Sequence, residues 1–235
     1  MASTIPDETP PRRRSQKERR EETSTRILDS AEKLFSEHGL HGVTLRDVAY
    51  EAKVDTSLVH YYFSNKDQLF RSVFTRRASE ANVARIKALD DYLEKSGDNP
   101  TLHGIVDAFT TPALRLVGSG DPGFRNFGAL VGIVNNTPGW GQAMMSEFFD
   151  DVSRRFLEIF KQILPGAREE DVYWCYHFLT GAFTFSLAQT GRIDKLSDGL
   201  CHSTDMDSIA ERLPMLFAAG MASICEKRLA SAQPS

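Results

Sequence analysis

The sequence predicts an all-α protein: an N-terminal three-helix helix-turn-helix domain followed by a larger helical domain. Three observations predict it. Apolar residues recur at three- and four-residue spacing through most of the 235 residues, the period of a helix with one buried face. No run alternates apolar and polar residues between turn signals, as a half-buried strand would. Clusters of glycine, proline, asparagine and aspartate cut the chain into pieces of helix length.

Taken in order, residues 1–22 hold three prolines, the basic run RRRSQKERR (Arg12 to Arg20) and almost no large apolar side chain. They read as a disordered basic arm. From Thr23 the spacing of Ile27, Leu28, Ala31, Leu34 and Phe35 predicts the first helix, stopped at Gly39. Thr44, with Asp47 three residues on, is an N-cap of capping-box type, opening a second short helix that runs to about Ala52. A four-residue turn from Ala52 to Asp55 follows, and Asp55 caps a third helix, Thr56 to Tyr62. Asn65 caps a long fourth helix from about Lys66 to Lys95, ended by S-G-D-N-P. The first domain is therefore 23–70 and the second 71–230. Within the second, helices are expected near 100–118, 124–136, 142–164, 168–191 and 206–229. The breaks are GSGDPG, NNTPGW, PG at 165–166 and a loop from Ile193 to Thr204. Pro214 should kink the last helix or mark its start.

Composition narrows the class. Hydrophobic residues make up 41% and charged residues 26%, ordinary for a globular protein and too apolar for a disordered one. The net charge of −4 hides an asymmetry: residues 1–77 carry +2 and residues 78–235 carry −6. A basic front on an acidic body is the layout of a nucleic-acid-binding head on a different partner domain. Cys175, Cys201 and Cys225 are odd in number and form no C-x-x-C, so reduced thiols are expected rather than a disulfide framework or zinc site. MASTIPDETPP has acids and prolines where a secretion signal has a basic start and an apolar run. No uncharged apolar stretch has the length of a membrane span. A cytoplasmic protein follows as the expectation.

The helix-turn-helix carries the chemistry. Val48, Ala49, Val54, Val59 and Phe63 are spaced to pack against Leu34 and Phe35, which turns Thr56, Ser57, His60 and Tyr61 outward on the third helix. That face is small or hydrogen-bonding with no acid beyond the cap, as contact with base edges and phosphates requires. The segment TRILDSAEKLFSEHGLHGVTLRDVAYEAKVDTSLVHYYFSNKDQLF resembles, without a gap, the DNA-binding domain of the TetR family of repressors. The resemblance implies that Thr44 caps the second helix and touches a phosphate, and that Arg46 reaches a base edge or phosphate. It implies that Thr56, Ser57 and His60 face the major groove, with Leu58 against a thymine methyl, while Tyr61 and Lys66 contact the backbone. Lys66 would do so from a helix N-terminus, where backbone amides favour phosphate. Where the family usually has glycine in the turn this chain has Lys53, at a strain of roughly 1 kcal/mol if φ is positive. Tyr62 reads as packing more than contact. The arm is either a solvated charge run or, through Arg12 to Arg14, a minor-groove contact.

In the second domain, VYWCYHFLTGAFTFS and PMLFAAGM are similar to the C-terminal domains of a TetR subgroup that includes fatty-acid-responsive repressors. The resemblance implies a homodimer in which the last two helices pair with their copies, Gly181, Ala182, Ser186, Ala219, Gly220 and Ser223 allowing close approach. It also implies a small-molecule effector among helices four to eight. Phe109, Phe127, Val131, Trp140, Met144, Phe148 and Phe178 are the apolar candidates. Asn135, Arg115, Arg125 and His177 are the polar groups that would orient a head group; core packing is the competing reading for each aromatic and for His177. A mostly apolar ligand, such as an acyl or aromatic acid, is expected. The six histidines form no ligand-spaced pair, and neither H-E-x-x-H nor G-x-S-x-G nor a phosphate-binding glycine loop occurs, so neither an enzyme nor a metal or cofactor is expected. The expected partners are double-stranded operator DNA, the effector and a second copy of the chain.

Overall fold

The computed structural model describes residues 15–231, and among these it has ten helices and no strand. α1 (Gln16–His38), α2 (Leu45–Glu51) and α3 (Thr56–Tyr62) form the head. α4 (Lys66–Ser96) leads out of it into a body of α5 (Leu102–Gly118), α6 (Pro122–Asn135), α7 (Trp140–Ile163), α8 (Glu169–Leu187), the short α9 (Arg192–Leu196) and α10 (Met206–Ser231). α9 lies in the stretch expected to be loop, and α10 runs through Pro214.

The first helix begins seven residues before Thr23, so the disordered arm expected through residue 22 is overturned for residues 15–22. The cause is local. Ser15 Oγ accepts from the Glu18 N–H at 3.1 Å, and Glu18 Oε2 accepts from the Ser15 N–H at 2.7 Å, a capping box that starts a helix without apolar help. These first two turns are exposed, which is why apolar periodicity is silent about them. Arg12 to Arg14 lie outside the described residues.

Ile27, Ala31, Phe35, Val48, Ala49, Val59 and Phe63 are buried in the head, with Leu34 and Val54 half-buried. The head's core does not stop at its boundary. Phe35 meets Phe70 of α4 edge to face at 5.1 Å, Phe70 meets Trp140 at 5.1 Å, and Phe74 meets Phe127 at 5.2 Å and Phe148 at 5.4 Å. Such aromatic pairs each add about 0.5–1.5 kcal/mol beyond the area they bury. α4 is thus bonded into both domains. In the body, α6 and α8 cross closely at Gly128: a Cβ there would lie 2.7 Å from the Leu187 carbonyl oxygen.

Candidate nucleic-acid interface and effector cavity

The head presents the expected face through caps and one strained turn. Thr44 Oγ1 accepts from the Asp47 N–H at 3.2 Å and donates to Asp47 Oδ2 at 2.6 Å, while the Thr44 N–H donates to the same oxygen at 2.8 Å. Both Thr44 groups are therefore engaged in the cap. The Thr44 hydroxyl and N–H hold the Asp47 carboxyl below its ordinary value. α2 ends with the Lys53 N–H donating to the Tyr50 carbonyl (3.2 Å) and the Val54 N–H to the Ala49 carbonyl (3.0 Å). This pairing closes a helix around one left-handed residue. That residue is Lys53, at φ 54°. Asp55 Oδ1 accepts from the Ser57 N–H at 2.8 Å and starts α3. Val59 then points into the core, leaving Ser57 and His60 exposed, Thr56 half-buried and Tyr61 64% exposed on the opposite face. Arg46 is exposed on α2, and Lys66 stands half-buried as the first residue of α4 behind the Asn65 cap, whose Oδ1 accepts from the Gln68 N–H at 2.8 Å.

Two neighbours of this face escaped sequence reasoning. Tyr50, 86% exposed and one turn after Arg46 on α2, is a large aromatic with no packing role; its exposure follows from which face of α2 is buried. Arg20 lies over the rings of Tyr61 (5.3 Å) and Tyr62 (5.9 Å), and its carbonyl accepts from the Tyr62 hydroxyl at 3.2 Å. The start of α1 is thereby held beside α3, and Tyr62 is half-buried in that contact.

Behind the head, Glu32 of α1 is almost fully buried and bound by two arginines of α4. Arg77 Nε donates to Glu32 Oε1 at 3.0 Å, and Arg76 bonds Glu32 and also Asp29, the latter at 2.7 Å. Arg77 also reaches Asp121 Oδ2 at 3.2 Å, and Asp121 is the N-cap of α6. Burial holds the Glu32 carboxyl above its ordinary value in spite of both guanidinium groups. The chain Glu32, Arg77, Asp121 links α1, α4 and α6.

The body encloses a cavity of about 490 Å³ between α4, α5, α6, α7 and α8. Of the eight ligand candidates, Phe109, Phe127, Val131 and Asn135 line it; Asn135 Nδ2 donates to Thr184 Oγ1 at 3.2 Å. Trp140, Met144, Phe148 and Phe178 do not. Trp140 and Phe148 pack on Phe70 and Phe74 in the seam between the domains, and Met144 is fully buried one turn from each. Phe178 is 53% exposed and stacks on Trp174 at 5.8 Å, on the outer face of α8. Helical spacing selects apolar positions but cannot say which of several apolar surroundings each one enters. Arg115, Arg125 and His177 are exposed and line no part of the cavity.

The cation that does line it is Arg85 of α4, only 6% exposed. Its guanidinium lies 4.8 Å from the Phe109 ring centroid, 4.9 Å from Phe183 and 5.8 Å from Phe149, and its Nε has no hydrogen-bond partner. Burial pushes its pKa down to about 10, so it stays charged near neutrality. Nearby, the Tyr176 hydroxyl donates to Ser153 Oγ at 2.6 Å.

α8 and α10 carry an uncovered apolar face. Trp174, Phe178, Phe185, Met215 and Leu216 are exposed, and a Cβ at Gly181 or Gly220 would meet nothing within 4 Å. No described helix is long and apolar enough to cross a membrane.

Comparison with known proteins agrees with this architecture. Residues 27–73 match the family described as bacterial regulatory proteins, tetR family, and residues 107–220 match the tetracyclin repressor-like C-terminal domain. The HTH-type transcriptional regulator HbdR of Aromatoleum sp. is 45% identical over 49 residues, 21% of each chain. The HTH-type transcriptional repressor Rv3405c of Mycobacterium tuberculosis is 34% identical over 88 residues, 37% of this chain and 45% of that protein. The matched segments thus span less than half the length of these relatives. The solved structure of the transcriptional regulator FadR from Bacillus subtilis in complex with stearoyl-CoA superposes with a TM-score of 0.59 at 14% identity, covering 83% of this chain and 98% of that one, a likeness of fold. With both of its domains matched in chain order, the protein belongs to the TetR family of bacterial transcriptional regulators.

Proposed function

We propose that this chain is a ligand-responsive repressor that binds a palindromic operator as a homodimer and is released by a small, largely apolar effector. The observation that carries the reading is the outward face of α3: Ser57, His60 and Tyr61 exposed, Thr56 half-buried, flanked by Arg46 and Lys66. In it, α3 of each subunit enters one of two successive major grooves, Arg46, Tyr61 and Lys66 set the register on the backbone, and Thr44 serves by capping α2. The uncovered α8–α10 face supports pairing of these helices with their copies, since an apolar patch of that extent is rarely left in water. The repressor name of the mycobacterial relative and the stearoyl-CoA bound to the Bacillus subtilis FadR support the repressor and ligand parts.

Effector entry among α4–α8 would act on α4 and α6, which carry cavity-lining residues and the Glu32, Arg77, Asp121 chain to α1. The effector shifts the dimer only as far as its affinities for the two states differ.

The test is operator binding against salt. The protein should shift a palindrome-bearing fragment from its own upstream region. Lys66→Ala should weaken binding to all sequences and lower the salt slope by about one, whereas His60→Ala should change the preference among operator variants. A Lys66→Ala protein indistinguishable from the unmodified one at every salt concentration would refute the proposed docking.

A further inference from the structure

We infer that Arg85 is the anchor for a carboxylate, and that the effector is a compact free monocarboxylic acid with an apolar body. The inference rests on the ligand-responsive reading and names the chemical class of that ligand.

Four observations lead there. Arg85 is buried in the cavity wall between the rings of Phe109, Phe149 and Phe183, with the Tyr176 side chain also close to it. A charge taken out of water this far is ordinarily matched by an opposite charge or a full set of hydrogen bonds. Here neither is present: no carboxylate among the described residues lies within ion-pair distance, and Nε has no partner. Asp150, the acid that lines the same cavity, is bound by Arg154 at 3.1 Å.

The rings explain how the cation is tolerated. They approach a planar guanidinium as cation–π partners, which stabilises the charge without consuming its in-plane N–H donors. Those donors form a fork that matches the two oxygens of a carboxylate. The residue is thus kept ionised at neutral pH and has no carboxylate partner among the described residues.

The rest of the lining sets the ligand's body. Ala113, Val117, Phe124, Phe127, Val131 and Leu187 supply much of the apolar lining, beside polar side chains such as Asn135 and Gln142. The volume of about 490 Å³ lies within the 300–1,000 Å³ of ordinary small-ligand sites. It suits a medium-chain or aryl-alkyl acid, whose charge sits at one end. A neutral isostere leaves Arg85 unpaired, and a coenzyme A thioester has no carboxylate at the end of its acyl chain to pair with it.

The experiment uses the full chain. Melting temperature and calorimetric affinity are measured with octanoate, decanoate and 4-phenylbutanoate, with their primary amides, and with octanoyl-CoA. The acids should bind about 10- to 100-fold more tightly than the matched amides, as expected for one charge-assisted pair in a desolvated site. Arg85→Met should lose that preference and bind acid and amide alike, and Arg85→Lys, which keeps the charge but not the fork, should fall between. Acids that bind no tighter than their amides, an Arg85→Met protein that retains the preference, or octanoyl-CoA binding ahead of octanoate would each overturn the proposal. Should Arg85→Met fail to fold, the acid–amide comparison on the unmodified protein and Arg85→Lys decide the matter. Operator binding without ligand is measured alongside: its loss counts against the regulator reading, whereas operator release by amides or thioesters counts against the carboxylate anchor alone.

Discussion

Replacing Lys53 with glycine should stabilise the protein, because Lys53 closes the turn between α2 and α3 at φ 54°. A residue with a Cβ in that left-handed region costs about 1–2 kcal/mol from the clash of Cβ with the following carbonyl. Glycine avoids the clash but loses about 0.5–1 kcal/mol more chain freedom on ordering. The difference favours glycine by roughly 0.5–1 kcal/mol. Lys53 is exposed, so no packing is lost with its side chain. For a chain of this size the gain amounts to a rise of about 1–4 °C in melting temperature. The assay is calorimetric melting at fixed protein concentration, because association would otherwise shift the midpoint. Lys53→Ala is the control; it keeps the Cβ and should melt within about 1 °C of the unmodified protein. A glycine variant no more stable than the alanine one would refute the strain argument. Operator titration on the same variants asks a separate question: a salt slope reduced by about one would mean that the Lys53 amine also neutralises a phosphate.

Three other outcomes follow from the packing and the caps. Gly128→Ala should cost about 1–2 kcal/mol, since its Cβ meets the Leu187 carbonyl 2.7 Å away across two rigid helices and the alanine helix preference of up to about 1 kcal/mol offsets only part of that overpacking; denaturant melting at unchanged stability would count against the close crossing. Gly181→Glu, at a position with nothing within 4 Å in one protomer, should yield folded monomers in sedimentation that no longer hold a palindromic operator, and an unchanged dimer would remove α8 from the interface. Asp47 and Asp55 are held below their ordinary value of 3.8, Asp47 by Thr44 and Asp55 by Ser57. A depressed carboxylate stabilises the fold above its unfolded pKa and loses that contribution as pH falls through its folded value, so Asp47→Asn should flatten the loss of stability below about pH 4; a variant that loses stability with acid in parallel with the unmodified protein would show the cap to be unlinked to protonation.

Several features of this chain are local and therefore legible in its residues. The caps at Thr44, Asp55 and Asn65 each bond a backbone N–H two or three residues on, so type and spacing alone reveal them. The outward face of α3 follows from the positions of Val59 and Phe63, because a seven-residue helix has one buried stripe and the rest must face away. The positive φ at Lys53 is open in the residues alone, where only the resemblance, with glycine usual at that point of the turn, points to it, and the structure sets it at 54°. The start of α1 is the local feature that was missed: Ser15 and Glu18 form a capping box in plain sight, but the exposed turns it opens have no apolar rhythm, and prolines and charge upstream suggested disorder.

What the tertiary structure decided is the use to which each apolar or charged helical position is put. Phe127, Phe148 and Phe178 are equivalent in sequence terms, yet one lines the cavity, one packs on Phe74 and one lies on the uncovered face of α8. Helical periodicity records only whether a position is buried on its own helix. Which neighbour it meets depends on the crossing of five helices, and that depends on close approaches such as Gly128 on Leu187. Arg85 is the sharpest case. In a helix rich in charge it reads as a solvated residue, and only the packing of α5, α7 and α8 around it removes it from water, turning an ordinary arginine into the one cation in the cavity wall among the described residues.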